Sequence, residues 1–500
     1  MGIIQHSTKQ GILMINVAEL TTFLVYFVLL LIVGYYFYKK TSNIEDYLLG
    51  GRKMGRWVTA LSAQASDMSG WLLMGLPGAV YLYGVNQSWI AIGLFIGTVV
   101  NWILVAPRLR VFTEKTNALT ISSFLEERFK DPTGLLRIIS AIITLIFFTI
   151  YASSGLVGAG KLFESMFSID YRVAVLIGGA VIVLYTFLGG FLAVCWTDLF
   201  QGSLMFVAVI VVPVMAFFSV GGSSSIFEAM SLKGISGSLI PDTALPLVAI
   251  ISTMAWGLGY FGQPHILARF MSIRTIKELP ASTVIAVIWV AFSLFFAVLV
   301  GIVGIPMFEE LAGGDHEKVF ILMIRQIFTP WLGGILMAAI LSAIMSTIDS
   351  QLLVSSSALT EDFYQKIIRK EATETELISI GRISVILISI VAMLLALNPN
   401  NSILGLVSYA WGGFGAAFGP VILMALFSRR TGWQAALAGM ITGTLVLVVW
   451  ERLGLGAVMY EIVPGFIANF AAILIVNRIV KVNEEDYAEL FDAFRQEVRA

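Results

Sequence analysis

Ser62-Ala63-Gln64-Ala65-Ser66-Asp67-Met68-Ser69-Gly70-Trp71 places a carboxylate, three serines and a glycine inside a run, Trp57–Leu82, that is otherwise apolar. An ionisable group at the centre of a bilayer costs roughly 2.5–3.5 kcal/mol on insertion scales, so a carboxylate in such a run points to function. A second interruption, Trp256-Gly257-Leu258-Gly259-Tyr260-Phe261-Gly262-Gln263-Pro264-His265, falls in the apolar run Pro246–Phe270. Paired broken helices in corresponding places are the sequence pointer to the binding site of a secondary transporter.

Composition supports a membrane protein. Of 500 residues, 58% are hydrophobic and only 13% charged, with a mean hydropathy of +0.90. Soluble domains carry about 25% charged residues, so a soluble fold is excluded on this count. A net charge of −1 leaves no basic domain for a nucleic acid. One cysteine, Cys195, precludes an intramolecular disulfide and a cysteine metal cluster, and the histidines at 6, 265 and 316 are widely spaced. No cleavable signal peptide is evident, because the Leu20–Tyr38 run is long enough to span and lacks a small-residue cleavage site after it.

Thirteen apolar runs approach or exceed the length needed to cross a hydrocarbon layer of about 30 Å. They are Leu20–Tyr38, Trp57–Leu82, Ser88–Val105, Ile138–Gly160, Val173–Phe191, Leu199–Val220, Pro246–Phe270, Thr283–Met307, Leu332–Leu353, Leu377–Leu397, Ile403–Phe427, Trp433–Trp450 and Ile462–Val480. Backbone groups in lipid must bond within their own segment, so each run is expected to be a helix. The ten-residue alternation of a membrane β-barrel is missing. With the N-terminus outside, 24 of the 31 Lys and Arg residues fall on the inner side, which predicts an N-out, C-in topology. The expected organisation is an extracytoplasmic leader (1–17), a single transmembrane domain (18–481) and a cytoplasmic tail (482–500). In the tail, Tyr487, Leu490, Phe491, Phe494 and Val498 recur at helical spacing among acidic residues; this predicts a short amphipathic helix on the protein or on a partner, with a purely solubilising tail as the alternative.

Three groups of residues carry candidate chemistry. Unwinding at Ser66–Gly70 would free the carbonyls of Ala65 and Met68 for a cation, since Ser and Asp compete with helical bonding and Gly removes the steric penalty for leaving it. In Leu341-Ser342-Ala343-Ile344-Met345-Ser346-Thr347-Ile348-Asp349-Ser350-Gln351, the Ala343 carbonyl and the Ser346 and Thr347 hydroxyls converge if the helix distorts slightly. Neutral oxygens of this kind suit a weakly held hard cation such as Na⁺. Trp256, Tyr260 and Pro264 recur at intervals of four and share a helical face, with Gly257, Gly259 and Gly262 leaving room for a substrate; Tyr151 is a weaker aromatic candidate. Gly155–Lys161 has phosphate-loop spacing, but Leu162 stands where a hydroxyl must hold Mg²⁺, so nucleotide binding is rejected.

The motif Ala60–Trp71 resembles the second-helix motif of the sodium:solute symporter family, and Gly189–Asp198 resembles a family signature. Trp256–Phe270, Met345-Ser346-Thr347 with Ser350–Leu353, Gly405–Pro420 and Tyr460–Phe466 resemble its proline-carrying bacterial members in particular. The resemblance implies an all-α integral membrane protein of about thirteen transmembrane helices with leucine-transporter-type inverted five-helix repeats, repeat one at about 57–220 and repeat two at about 246–427. It implies Na⁺-coupled symport of L-proline and no enzyme activity or cofactor beyond Na⁺ as coupling ion. It assigns Na⁺ to the carbonyls of Ala65, Met68 and Ala343 and the hydroxyls of Ser346 and Thr347. Proline goes to Ser69, Trp71, Gly75, Tyr151, Trp256, Tyr260 and Pro264, and coupling to Asp67 and Arg52. Asp349 departs from the family pattern, where a small polar residue is expected. The alternatives are another small amino acid or a carboxylate as substrate, or a channel, which would want a continuous polar path that these runs do not supply.

Overall fold

The computed structural model describes residues 16–38, 44–188, 190–309, 311, 315–482 and 484–499. The leader lies outside these residues, apart from its last two. Among the described residues the protein is all-α, and its one bridge of β type joins Met54 to Ile273. Ten helices among the described residues are long and apolar enough to cross a membrane; three shorter apolar helices, Trp71–Tyr83, Tyr171–Phe187 and Pro246–Gly262, fall in the second, fifth and seventh predicted runs. Two of these are short for a common reason: the second and seventh runs are each broken in the middle.

The second run is an α-helix, Arg56–Asp67, that stops at Met68, whose φ of −84° and ψ of 75° leave helical geometry. It resumes as a wide π-helical turn, Trp71–Gly75, and ends as an α-helix, Leu76–Tyr83. The seventh run passes from an α-helix, Pro246–Met254, into a tight 3₁₀ segment, Ala255–Gly262, turns extended at Gln263, and restarts as an α-helix, Pro264–Ser272. Pro264 sits at the first helical position, where its missing N–H costs nothing. The ends of the two broken runs are joined: Met54 N donates to Ser272 O at 3.2 Å, and Arg274 N to Met54 O at 2.9 Å.

Helix Pro330–Ser357 runs unbroken beside the first break and is buried nearly all round, as a helix in the middle of a membrane bundle must be. At the rim, Val17–Tyr38 presents Leu24, Val25, Val28, Leu29 and Ile32 outward, an apolar surface suited to lipid. The 3₁₀ segment packs between Ile403–Phe427 and Ser88–Val100. Its glycines serve this packing rather than leaving space for a ligand: a β-carbon on Gly257 would lie 2.2 Å from Gly93 O, and one on Gly259 would lie 1.9 Å from Trp411 Nε1.

At the end bearing Arg52, a helix over Ala488–Arg499 lies on the bundle, so the tail is an amphipathic helix seated on its own protein. Phe491 meets Phe112 at 5.2 Å between ring centroids, Arg128 lies 4.7 Å from the Tyr487 ring, and Arg108 lies 4.6 Å from that of Phe494. At the opposite end Lys161, from the rejected phosphate-loop match, pairs with Asp315 at 3.0 Å and Glu317 at 2.7 Å.

Candidate functional site

The break after Asp67 faces the middle of helix Pro330–Ser357. Ser346 Oγ donates to Ala65 O at 2.7 Å, and Thr347 Oγ1 approaches the same carbonyl at 3.4 Å. Both hydroxyls also reach Ala343 O, at 3.3 and 3.2 Å. The expected distortion of this helix is not needed. Ser at i+3 and Thr at i+4 both reach the Ala343 carbonyl by ordinary back-bonding within a regular helix. Four of the five predicted cation ligands thus form one cluster of neutral oxygens, and the fifth, Met68, is the non-helical residue of the break. All five residues are buried.

Asp67 is fully buried, and its bonded partner is Tyr260 rather than Ser346 or Thr347: the phenol donates to Oδ2 at 2.5 Å. Its other oxygen, Oδ1, has no hydrogen-bond partner among the described residues. The main-chain oxygen of Asp67 accepts from Trp71 Nε1 at 3.1 Å and from Tyr151 OH at 3.4 Å. One residue therefore gathers three of the predicted substrate residues. Trp71 and Trp256 stand 6.3 Å apart between ring centroids, and Ser69 Oγ accepts from Trp71 N at 3.3 Å. Gly75, packed close to Leu404, lies one turn further on. Pro264 stands apart from this group, in the wall of a small cavity toward the Arg52 end, with Thr144 and Asp362.

Arg52 lies at the basic end. Gly50 and Gly51, both at φ 61°, make the left-handed turn that glycine takes without strain, and Arg52 follows at φ 51°. Its guanidinium donates to Met271 O at 3.0 Å, Thr113 O at 3.1 Å and Ala118 O at 2.6 Å. It therefore pins the end of the second broken helix rather than touching the oxygen cluster. Asp349 also has a defined place: it accepts from Thr186 on the neighbouring helix Tyr171–Leu188.

Two features of the centre lie in motifs that carry the resemblance but were given no role from the sequence. Trp411 donates from Nε1 to Trp256 O at 2.7 Å and sets its ring edge-on to Tyr260 at 5.0 Å, while the Tyr460 ring lies 5.5 Å from that of Trp256. Asp198 and Arg269, both fully buried, pair at 3.3 Å, and Ser62 Oγ donates to the same carboxylate oxygen at 2.6 Å. A charge within an apolar run was the signal that drew attention to Asp67; Arg269, inside Pro246–Phe270, carries the same signal.

An all-α bundle with two broken membrane helices, whose breaks enclose a buried carboxylate and face a pair of hydroxyls, defines a secondary transporter. The sequence model of the sodium:solute symporter family matches residues 47–443, and the chain belongs to that family. It is 50% identical to the sodium/proline symporter of Escherichia coli (strain K12), over 93% of this chain and 94% of that protein. It is 48% identical to a high-affinity proline transporter of Bacillus subtilis (strain 168), over 93% of this chain and 99% of the other. Among solved structures, a Na⁺-coupled sialic acid symporter in a substrate-bound outward-open state superposes with a TM-score of 0.80 at 20% identity, covering 93% of this chain and 98% of that one. That likeness establishes the fold, which is of the leucine-transporter type.

Proposed function

We propose that this chain is a Na⁺-coupled symporter that carries L-proline into the cell by alternating access. The observation that carries the reading is the meeting of the Ser346 and Thr347 hydroxyls with the Ala65 carbonyl at the helix break. A hard, weakly held monovalent cation suits neutral oxygens and no thiolate or imidazole. The carbonyls of Ala65, Met68 and Ala343 with the two hydroxyls hold the Na⁺. Its arrival replaces hydrogen bonds that otherwise knit the break to helix Pro330–Ser357. That exchange fixes the main chain at Asp67, whose carbonyl positions Trp71 and Tyr151. Coupling follows, since an ion that favours one arrangement of the break raises the affinity of whatever binds that arrangement.

L-proline is supported by the names of relatives about half identical over nearly the whole chain. Ser69, Trp71, Gly75, Tyr151, Trp256 and Tyr260 form its site, in which aromatic faces select a compact ring, and Pro264 borders the way from that site toward the Arg52 end. Asp67 links that site to the ion through Tyr260, and Arg52 acts from the inner end. The repeats span about 57–220 and about 246–427. The N-terminus lies outside and the tail inside, as the Lys and Arg bias supports, in the inner membrane of a bacterium. A potential near 100 mV supplies about 2.3 kcal/mol per charge and a roughly tenfold Na⁺ gradient about 1.4 kcal/mol, enough for accumulation on the order of several hundredfold.

The test is uptake of labelled L-proline into proteoliposomes with and without an inward Na⁺ gradient. Accumulation that follows the gradient is expected. Uptake indifferent to Na⁺ would indicate a channel, and Na⁺-driven uptake of other small amino acids but not proline would change the substrate.

A further inference from the structure

The cavity that reaches Pro264 lies on a seam. It measures about 30 Å³ and is lined on one side by Leu48, Pro264 and Ala268 and on the other by Thr144, Ser357 and Asp362. The first side belongs to the second broken helix and the arm that precedes the first; the other belongs to unbroken helices and their extensions. Its depth is fixed by the helices that line it. Thr144 lies seven residues before Tyr151, about 10 Å along the axis, and Ser357 lies ten residues beyond Thr347, about 15 Å. The cavity therefore sits between the binding residues and the inner mouth.

The floor of this cavity is crossed by the loop 118–120, which is held from both sides. On the broken-helix side, Arg52 donates to Ala118 O at 2.6 Å while also holding Met271 O. On the unbroken side, Thr120 Oγ1 lies 3.2 and 3.4 Å from the two carboxylate oxygens of Asp362. Asp362 is fully buried and is itself fixed by Arg137 Nε at 2.6 Å; Arg137 also pairs with Glu361 at 3.3 Å and Glu126 at 3.4 Å. The loop is thus a crossbar between two groups of helices that must separate if cargo is to leave inward.

The geometry points to Asp362 and Thr120 as the latch of the inner exit: Thr120 bound to Asp362 closes the path below Pro264, and its release opens that path. This rests on the carrier reading above. Asp362 is a positioning residue, acting through the loop rather than on cargo. The hydrogen bond to a charged acceptor gives the closed form an advantage that a single substitution can remove.

The experiment uses the full-length carrier with Cys195→Ser, which removes its one native thiol, and Ser357→Cys as a reporter in the cavity wall. Inside-out vesicles in Na⁺-free buffer are treated with a membrane-impermeant thiol reagent. Adding Thr120→Val is expected to speed labelling roughly tenfold, the factor for losing one charge-assisted hydrogen bond, and Thr120→Ser to restore the slow rate. Thr120 also caps helix Ile121–Phe129, so Asp362→Asn, which leaves the cap intact, is the second arm and is expected to speed labelling as well. Unchanged labelling in both Thr120→Val and Asp362→Asn would overturn the latch. Failure of Na⁺ and proline to alter labelling in the parent would count against the cargo assignment and leave the latch to be judged by the variants.

Discussion

The Tyr260 hydroxyl donates to Oδ2 of Asp67 at 2.5 Å, so the breaks in the second and seventh runs are tied by one hydrogen bond to a buried carboxylate. Because Oδ1 has no partner among the described residues, Tyr260 is the side chain through which this carboxylate is satisfied. Hydrogen bonds to charged groups are worth about 1.5–3 kcal/mol. Tyr260→Phe is therefore expected to raise the Na⁺ concentration for half-maximal proline uptake roughly tenfold or more. Titrating uptake against Na⁺ checks this, and an unchanged half-saturation point would show that the bond does not link cargo to ion.

Gly259 packs directly against the indole of Trp411. A β-carbon there would approach Nε1 to 1.9 Å, and the same indole holds Trp256 O at 2.7 Å. Overpacking a tight core costs typically 1–3 kcal/mol. Gly259→Ala should lower the thermal midpoint of the purified carrier and weaken proline binding together, because the displaced ring cannot keep its bond. A fully stable variant with normal affinity would show that the segment yields freely.

The Asp198–Arg269 pair is closed to solvent on both sides. Removing one member of a buried pair leaves an unpaired charge and costs about 3–5 kcal/mol, whereas replacing both is far milder. Arg269→Met should abolish or sharply reduce folded carrier in the membrane. Adding Asp198→Asn to Arg269→Met should recover much of it, as measured by the monodisperse fraction in detergent. Equal loss in the single and double variants would place the importance of Arg269 elsewhere.

The tail helix is fastened by Phe491 against Phe112 and by Arg128 over Tyr487. Burial pulls the Arg128 guanidinium down to about 10, so it remains a cation at neutral pH and the contact with the ring persists. Phe491→Ala should expose the tail to protease in inside-out vesicles several times faster, with the transmembrane region unaffected. An unchanged cleavage rate would mean that the charged contacts alone, such as Arg429–Asp492 at 3.1 Å, hold the helix.

The sequence was most readable where it broke its own pattern. Asp67 and its serines disrupt an apolar run, and the helix does stop at Met68; Pro264 marks the restart of the seventh run. The pairing of Ser346 and Thr347 with Ala65 lay beyond local reading, because it joins positions 281 and 282 residues apart; only the resemblance brought those positions together. Trp411 and Tyr460 lie in stretches that carry the resemblance, but their contacts with Trp256 were hidden for a different reason. Aromatics in apolar helices are ordinary, and nothing local distinguishes the ones that close on Trp256. The three glycines of the seventh run were legible as special, but their cause was a neighbouring backbone or indole rather than a substrate.

Direct binding of radiolabelled Na⁺ to the purified carrier, comparing the parent with Ser346→Ala and Thr347→Ala, tests the central claim most closely. Each substitution removes one neutral oxygen from the cluster at the break while helix Pro330–Ser357 remains intact. The expected result is saturable binding in the parent and at least a tenfold weaker affinity in each variant, the equivalent of about 1.4 kcal/mol. Equal Na⁺ affinity in all three proteins would contradict the account.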